Sequence, residues 1–312
     1  MEDVKNMKLV KGDASSRKFF RVKKNKKSKI VILSTTDKKK NLLDYDAVNK
    51  ILIKNKIRAP RLIKQNFKKN YIEVEDFGNQ TIFKIFKKCN TNRKIEIYKK
   101  IIDELVNLQK IKTRRIKNFK KKIYFVPDYS NKILKKEVDL FFDWYLKYSL
   151  NKHRKLKISK KIRVLLYKFL KSFKLKNKVF VHKDFHISNL LLKKKNICLI
   201  DNQDALFGNP VYDLCSLVDD VRYKTKNSLK NKLINYYLLK NKIKFSKKNF
   251  INDFEIHSII RNLKIIGIFT RLSARDKKHK YLKLIPHAWK LIENRLDNKK
   301  KFYKLKMLLN KL

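Results

Sequence analysis

Between Val181 and Asp220 lies the run of residues that most restricts how this chain can fold. An apolar run, Val179-Phe180-Val181, delivers His182-Lys183-Asp184, and Asn189 follows five residues after Asp184. Leu190-Leu191-Leu192, a polar turn from Lys193 to Asn196 and a second apolar run from Ile197 to Ile200 then deliver Asp201. Short apolar runs on either side of a polar turn predict a two-stranded hairpin. Charge sets the stretch apart as well. It holds four lysines against six aspartates, whereas the chain carries a net charge of +56 over 312 residues. A window of this length would average about +7.

The three residues suit one chemistry. An aspartate on a loop, Asp184, can accept the proton of a substrate hydroxyl. An asparagine oxygen and a second carboxylate, Asn189 and Asp201, can hold Mg²⁺ through hard oxygen ligands. Phosphoryl transfer needs little covalent help, so positioning and charge neutralisation do most of the catalysis. Each residue alone could be a helix cap or a turn aspartate; their joint spacing and strand context argue against chance.

The rest of the chain reads as α+β. Met7 to Val10, Phe19 to Val22 and Ile30 to Leu33 predict an antiparallel meander. A helix over 41–53 follows, with Leu42, Leu43, Tyr45, Val48, Ile51 and Leu52 at helical spacing. Leu62-Ile63 and Tyr71 to Val74 predict two more strands before Glu75-Asp76-Phe77-Gly78. Residues 1–78 thus form a small sheet-bearing lobe, and residues 79–312 a mostly helical one. Helices are expected over 92–110, 131–150, 158–173, 210–224, 228–242, 248–273, 279–297 and 300–311. With four glycines and four prolines, each marks a special backbone position, such as Gly78 in a loop and Pro210 before a helix.

Composition narrows the partners. Cys89, Cys198 and Cys215 are too few and too irregular for a disulfide framework or a zinc site, and read as buried thiols in a reducing compartment. The N-terminus lacks a signal-peptide pattern, and no apolar run approaches the ~20 residues of a membrane span. A cytoplasmic, soluble protein is expected. The lysines spread along the whole chain, outnumber arginines and accompany no nucleic-acid motif, so compositional bias accounts for them and no specific nucleic-acid partner is expected.

His182-Lys183-Asp184-Phe185-His186-Ile187-Ser188-Asn189, with Asp201 after the hairpin, resembles the H-x-D-x-H-x-x-N form of aminoglycoside phosphotransferases, choline kinases and their relatives. The resemblance implies a bilobal protein-kinase-like fold with a small antiparallel-sheet N-lobe and a helical C-lobe, and ATP and Mg²⁺ as cofactors. It makes Asp184 the catalytic base, Asn189 and Asp201 the metal ligands, and His182 a structural support. Asp213, in Tyr212-Asp213-Leu214, would buttress the catalytic loop. ATP would lie near Glu75 and Phe77, with its phosphates cradled by Gly12, Ala14, Ser15, Ser16 and Arg17.

Several segments are similar to one branch, the bacterial amino-sugar kinases that phosphorylate N-acetylmuramate and N-acetylglucosamine at the anomeric hydroxyl in cell-wall recycling. They are Gly12-Asp13-Ala14-Ser15-Ser16-Arg17-Lys18-Phe19-Phe20-Arg21-Val22, Asp201-Asn202-Gln203-Asp204-Ala205, Phe142-Asp143-Trp144-Tyr145, the run from Lys264 to Leu272, and Tyr281 to Pro286. The implied substrate is a small sugar. An aminoglycoside-type or choline-type substrate is the alternative, as is a degenerate scaffold that binds polyanions. Two departures stand out: Gly12 is the phosphate loop's one glycine, and Ile30 to Leu33 does not end in the lysine of protein kinases. Arg17, Arg21 or Lys29 could take that lysine's place.

Other residues have two readings each. His186, Gln203 and Asp204 could contact substrate or stabilise their own loops. Trp144 and Tyr145 could stack on a sugar or fill core. Arg271 and Arg275 could bind a carboxylate, and Asp219 and Arg222 are spaced to pair on one helix.

Overall fold

The computed structural model describes residues 7–10, 17–24, 27–149, 154–176, 178–241, 246–297 and 299–312. The chain divides into two compact units, residues 1–127 with 179–207 and residues 128–178 with 208–312.

The first unit is built on an antiparallel sheet of β1 (Met7–Val10), β2 (Lys18–Lys24), β3 (Lys27–Leu33), β4 (Leu62–Asn66) and β5 (Tyr71–Glu75), in the order β1-β2-β3-β5-β4. Register follows side-chain alternation, with Phe19 opposite Ile32 and Ile32 opposite Ile72. Ile32, Ile72 and Val74 are thereby buried against Leu42 and Tyr45 of α1 (Lys40–Lys54). The meander, the helix and the two later strands stand where the apolar periodicity places them.

Beyond the sheet come α2 (Ile82–Phe86) and α3 (Thr91–Gln109), each opened by a polar side chain that accepts from the first turn, Thr81 from the Lys84 N–H and Asn90 from the Arg93 N–H. β6 (Arg115–Lys117) and β7 (Ile123–Phe125) pair as a small hairpin. Later in the chain this unit takes up β8 (Val179–Val181), β9 (Leu190–Lys193) and β10 (Asn196–Leu199). The last two form the expected hairpin, Leu190 opposite Leu199. The hairpin is stitched to the rest of the unit by the Leu199 N–H on the Arg58 carbonyl (2.8 Å) and the Leu192 N–H on the Gln80 carbonyl (3.2 Å). Leu191 and Cys198 pack on Phe77.

The second unit is helical: α4 (Asn131–Leu140), α5 (Arg154–Lys171), α6 (Tyr212–Val218), α7 (Asn227–Lys240), α8 (Lys247–Ala274), α9 (Ile285–Leu296) and α10 (Tyr303–Leu309). The single helix expected over 131–150 is interrupted by a π-helical stretch, Phe141–Leu146. Its start coincides with Gly267 of α8, where an added Cβ would lie 2.2 Å from the Leu140 carbonyl oxygen. Two backbones touch there, and only glycine allows it.

The helix expected over 210–224 ends at Val218. Asp219 consequently does not pair with Arg222, because the two no longer share a helical face. Its carboxylate instead takes Lys230 (2.6 Å), Arg295 (2.8 Å) and the Ser258 hydroxyl (2.6 Å). Burial opposes that charge, yet Arg295 and Lys230 outweigh it and hold the Asp219 pKa down to about 2. Arg222 lies 3.9 Å from Asp220.

Among the described residues no helix is long and apolar enough to cross a membrane. Cys89, Cys198 and Cys215 are free thiols, the last two buried.

Candidate active site

β8 is buried along its whole length, so the loop that leaves it starts from a fixed point. Phe185 and Ile187, both fully buried, pin the loop from within, and the Phe83 N–H of α2 bonds to the Ile187 carbonyl at 3.0 Å. Polar contacts then set its shape. The Asp184 N–H donates to Nδ1 of His182 (3.2 Å), the His186 N–H to the Asp184 carbonyl (3.0 Å), and the Asn189 N–H to the His186 carbonyl (2.9 Å). Nδ2 of Asn189 donates to the Asp184 carbonyl at 3.1 Å, which ties the two residues together and turns the amide oxygen the other way. Among the described residues no hydrogen bond is made to the Asp184 carboxylate; the backbone of that residue carries the loop, and the side chain is left for other work.

His182 is fully buried. Burial lowers its pKa, the nearby Asp184 and Asp201 charges only partly opposing it, and the neutral ring accepts from Asp184. His186, also buried, sits inside the loop with Nε2 3.4 Å from Nδ2 of Asn189.

Asp201 follows β10 in a left-handed conformation, φ 65°, and Lys183 beside Asp184 has φ 78°. Neither is a glycine, so both positions are strained, a condition that concentrates where side chains must be aimed. Oδ1 of Asp201 receives Nη2 of Arg17 at 2.9 Å, a pair 184 residues apart in sequence. The protein around Asp201 raises its pKa by stripping water from the carboxylate, and the Arg17 charge pulls the other way. The guanidinium lies over the rings of Phe19 (5.6 Å) and Tyr45 (5.8 Å).

Next to this loop the first unit contains a cavity of about 350 Å³, within the range of small-molecule pockets. Its walls are apolar, with Phe19, Ile30 and Val74 on the sheet and Leu191 and Ile200 on the hairpin. Asn189 and Asp201 close one side, and Glu75, Asp76, Phe77 and Gly78 another. The strand after Glu75 is held by charge. Arg21 forks onto Asp76, Nε to Oδ2 at 2.6 Å and Nη2 to Oδ1 at 2.9 Å. Lys193 Nζ donates to the Asp76 carbonyl (3.0 Å) and lies 5.3 Å from the centre of the Phe77 ring. Of the three cations considered for the missing strand lysine, Arg17 meets Asp201, Arg21 meets Asp76, and Lys29 meets Glu73 at 2.9 Å.

The other sequence candidates are placed as follows. Gln203 and Asp204 bond to each other, Nε2 to Oδ2 at 2.8 Å. Asp213 is fully buried in the first turn of α6, in the second unit. Trp144 stacks on Tyr148, Tyr145 takes the Trp289 indole N–H at 3.3 Å, and Arg275 pairs with Asp276 at 2.7 Å. Gly12, Ala14, Ser15 and Ser16 lie outside the described residues.

Sequence reasoning missed two supports. Asn202, fully buried next to Asp201, donates to Oδ1 of Asn49 on α1 (2.8 Å), and Asn49 donates to the Pro60 carbonyl (3.0 Å). An asparagine on the buried face of a helix was the available signal. The Arg21–Asp76 fork spans 55 residues, and no local pattern announces it.

Comparison with known proteins adds to this geometry. The phosphotransferase enzyme family model matches residues 6–244. An N-acetylmuramate/N-acetylglucosamine kinase of Pseudomonas aeruginosa is 26% identical over 305 residues, covering 96% of this chain and 86% of its own. The structure of a choline/ethanolamine kinase family protein from Mesorhizobium loti superposes with a TM-score of 0.65 at 9% identity, covering 97% of this chain and 92% of that one. ADP-bound aminoglycoside phosphotransferase APH(2'')-Ib gives 0.61 at 14% identity, with 93% of each chain covered. The fold is therefore the bilobal protein-kinase-like one, with an antiparallel sheet and a helical portion.

Proposed function

The chain belongs to the phosphotransferase enzyme family and is a kinase, and from that premise we propose that it transfers the γ-phosphate of ATP to the anomeric hydroxyl of N-acetylmuramate or N-acetylglucosamine. One observation carries the reading. Asp184 and Asn189 are locked onto one loop by a 3.1 Å hydrogen bond, and Asn189 and Asp201 close the same cavity that reaches the Glu75–Gly78 segment. The sugar class is supported by the Pseudomonas aeruginosa relative, whose similarity runs over nearly the whole chain.

The residues fit the cofactors. An apolar slot between sheet and hairpin suits a purine, with Glu75 and Phe77 at its edge. Oδ1 of Asn189 and the Asp201 carboxylate are hard oxygen donors, and among the described residues no cluster of three or more His, Cys, Asp or Glu forms a metal cage. One or two protein oxygens, with phosphate oxygens and waters completing the shell, is the usual way to hold Mg²⁺. Bound there, the metal would neutralise charge that builds on the transferring phosphoryl group.

Asp184 would orient the sugar hydroxyl and accept its proton. Asn189 keeps that carboxylate in register by fixing the Asp184 carbonyl, and His182 does so by fixing its amide. Asp213 would be a structural support within α6. Gln203, Asp204 and His186 would act at the substrate side. Gly12 and Ala14 to Arg17 would cradle the phosphates, and the lobe boundary would fall at Gly78.

The decisive experiment measures ATP consumption with N-acetylmuramate, N-acetylglucosamine, choline and kanamycin, followed by phosphorus NMR of the product. Phosphate on the anomeric oxygen of an amino sugar is expected. Turnover of choline or kanamycin with neither sugar would overturn the substrate.

A further inference from the structure

The pair Arg17–Asp201 raises a question of occupancy. Asp201 is a proposed metal ligand, yet one of its carboxylate oxygens already bonds to a guanidinium 2.9 Å away. Arginine cannot vacate such a contact by losing its proton, since the guanidinium stays charged at any ordinary pH. Arg17 is also no casual surface contact: its side chain is 5% exposed, wedged over the faces of Phe19 and Tyr45. Both of those residues, like Asp201, line the nucleotide cavity. Arg17 has the longer and more rotatable side chain of the two, so the guanidinium can change partners while both backbones stay in place.

We infer that Arg17 is a placeholder cation: it covers Asp201 while the site is empty, keeps divalent metal from settling there alone, and is released when nucleotide arrives. The inference rests on the kinase reading for the identity of the metal site. A guanidinium in contact with Asp201 repels any divalent cation that approaches the same carboxylate, so each lowers the occupancy of the other. A nucleotide changes that balance. Its phosphates bring both oxygen ligands for the metal and negative charge for the guanidinium, and Phe19 and Tyr45 hold Arg17 at the edge of the cavity where that charge would lie. Metal and nucleotide would then load together. This also gives the missing strand lysine a substitute that has a second role, guarding the metal site in the resting protein.

The test needs no catalysis. Mn²⁺ binding to the nucleotide-free full chain is followed by electron paramagnetic resonance in wild type, Arg17→Gln, Arg17→Lys, Asp201→Asn and the Arg17→Gln/Asp201→Asn double variant, with circular dichroism confirming each fold. Arg17→Gln is expected to bind Mn²⁺ about tenfold tighter or more, and Arg17→Lys to stay near wild type, since removing a competing charge at contact distance has at least this effect. The gain should vanish when Asp201 is also changed. With ATP present the order should reverse, with Arg17→Gln binding Mn²⁺·ATP more weakly than wild type. Unchanged or weaker Mn²⁺ binding by Arg17→Gln, a gain that survives Asp201→Asn, or an unreversed order with ATP would each overturn the inference. Failure of the kinase reading is seen separately, as wild-type protein that neither binds nor consumes Mg·ATP.

Discussion

Arg21 and Asp76 hold each other and the segment between the sheet and α2 at the same time. Nη2 of Arg21 reaches both Oδ1 of Asp76 and the Gly78 carbonyl (2.8 Å), and Oδ1 of Asp76 also accepts the Gly78 N–H (2.8 Å). Gly78 takes φ 85°, a value that suits glycine alone, so this closed loop of bonds selects one backbone path at the cavity edge.

Breaking the fork should cost stability and nucleotide affinity together. The Asp76 side chain is almost wholly buried, and Arg21→Ala would leave its charge unpaired at a cost of about 3–5 kcal/mol. Arg21→Ala/Asp76→Ala should cost less than the sum of the single changes, as a double-mutant cycle by urea denaturation would show. Burial works against the Asp76 charge, but the Arg21 and Gly78 hydrogen bonds prevail and hold its pKa below the ordinary 3.8. The contribution is therefore complete above about pH 4 and is lost as the pH falls through the lowered native value.

Asp184→Asn should remove catalysis and spare the fold. A positioned base is worth about 10²–10⁴-fold in rate. The loop is held by Asp184 backbone atoms, which asparagine retains, so the melting temperature and ATP binding should match wild type. Retention of most ATP-dependent turnover by the variant would remove Asp184 from the mechanism.

Gly267→Ala tests the close approach of α8 to the π-helical stretch. The new methyl would meet the backbone of Leu140 and Phe141 at 2.2 to 2.7 Å, and a backbone cannot swing aside as a side chain can. A loss of about 3 kcal/mol or more is expected, read as a fall in the thermal midpoint. A variant as stable as wild type would show that the interruption of α4 has another cause.

His257 makes stability depend on acid. Its ring is stacked on Phe173, centroids 4.2 Å apart, and edge-on to Tyr212, and neither nitrogen has a hydrogen bond among the described residues. Burial lowers its pKa from 6.5 to about 3, with Glu137 opposing weakly. The unfolded chain takes up the proton near pH 6.5 and the native protein does not. Stability is thus full above pH 6.5 and declines as the pH drops towards 3, by up to about 1.4 kcal/mol per pH unit. His257→Phe should show a shallower decline between pH 6.5 and 4.5 in urea titrations; an identical slope would refute the assignment.

What could be read from sequence was what local pattern carries. The sheet, α1, α3 and the β9–β10 hairpin follow apolar periodicity, and the order of Asp184, Asn189 and Asp201 follows from the loop and hairpin between them. Three kinds of feature escaped. α2, β6 and β7 are only three to five residues long, too short for periodicity to register. The π-helical stretch begins where its backbone meets a glycine more than a hundred residues later. The partners of Arg17, Arg21 and Asp219 are tertiary, and in a chain this rich in cations sequence spacing cannot say which of them a given carboxylate will meet.

The first unit is not continuous in sequence: residues 128–178 belong to the second, and only then do β8, the loop and the hairpin follow. Synthesis runs from the N-terminus, so the sheet and α1 leave the ribosome well before the strands that cover Phe77. At about 5–20 residues per second, the sheet waits several seconds for Leu191 and Cys198, with that apolar surface open. A nascent chain stalled between residues 127 and 178 would therefore be the form of this protein most in need of a chaperone.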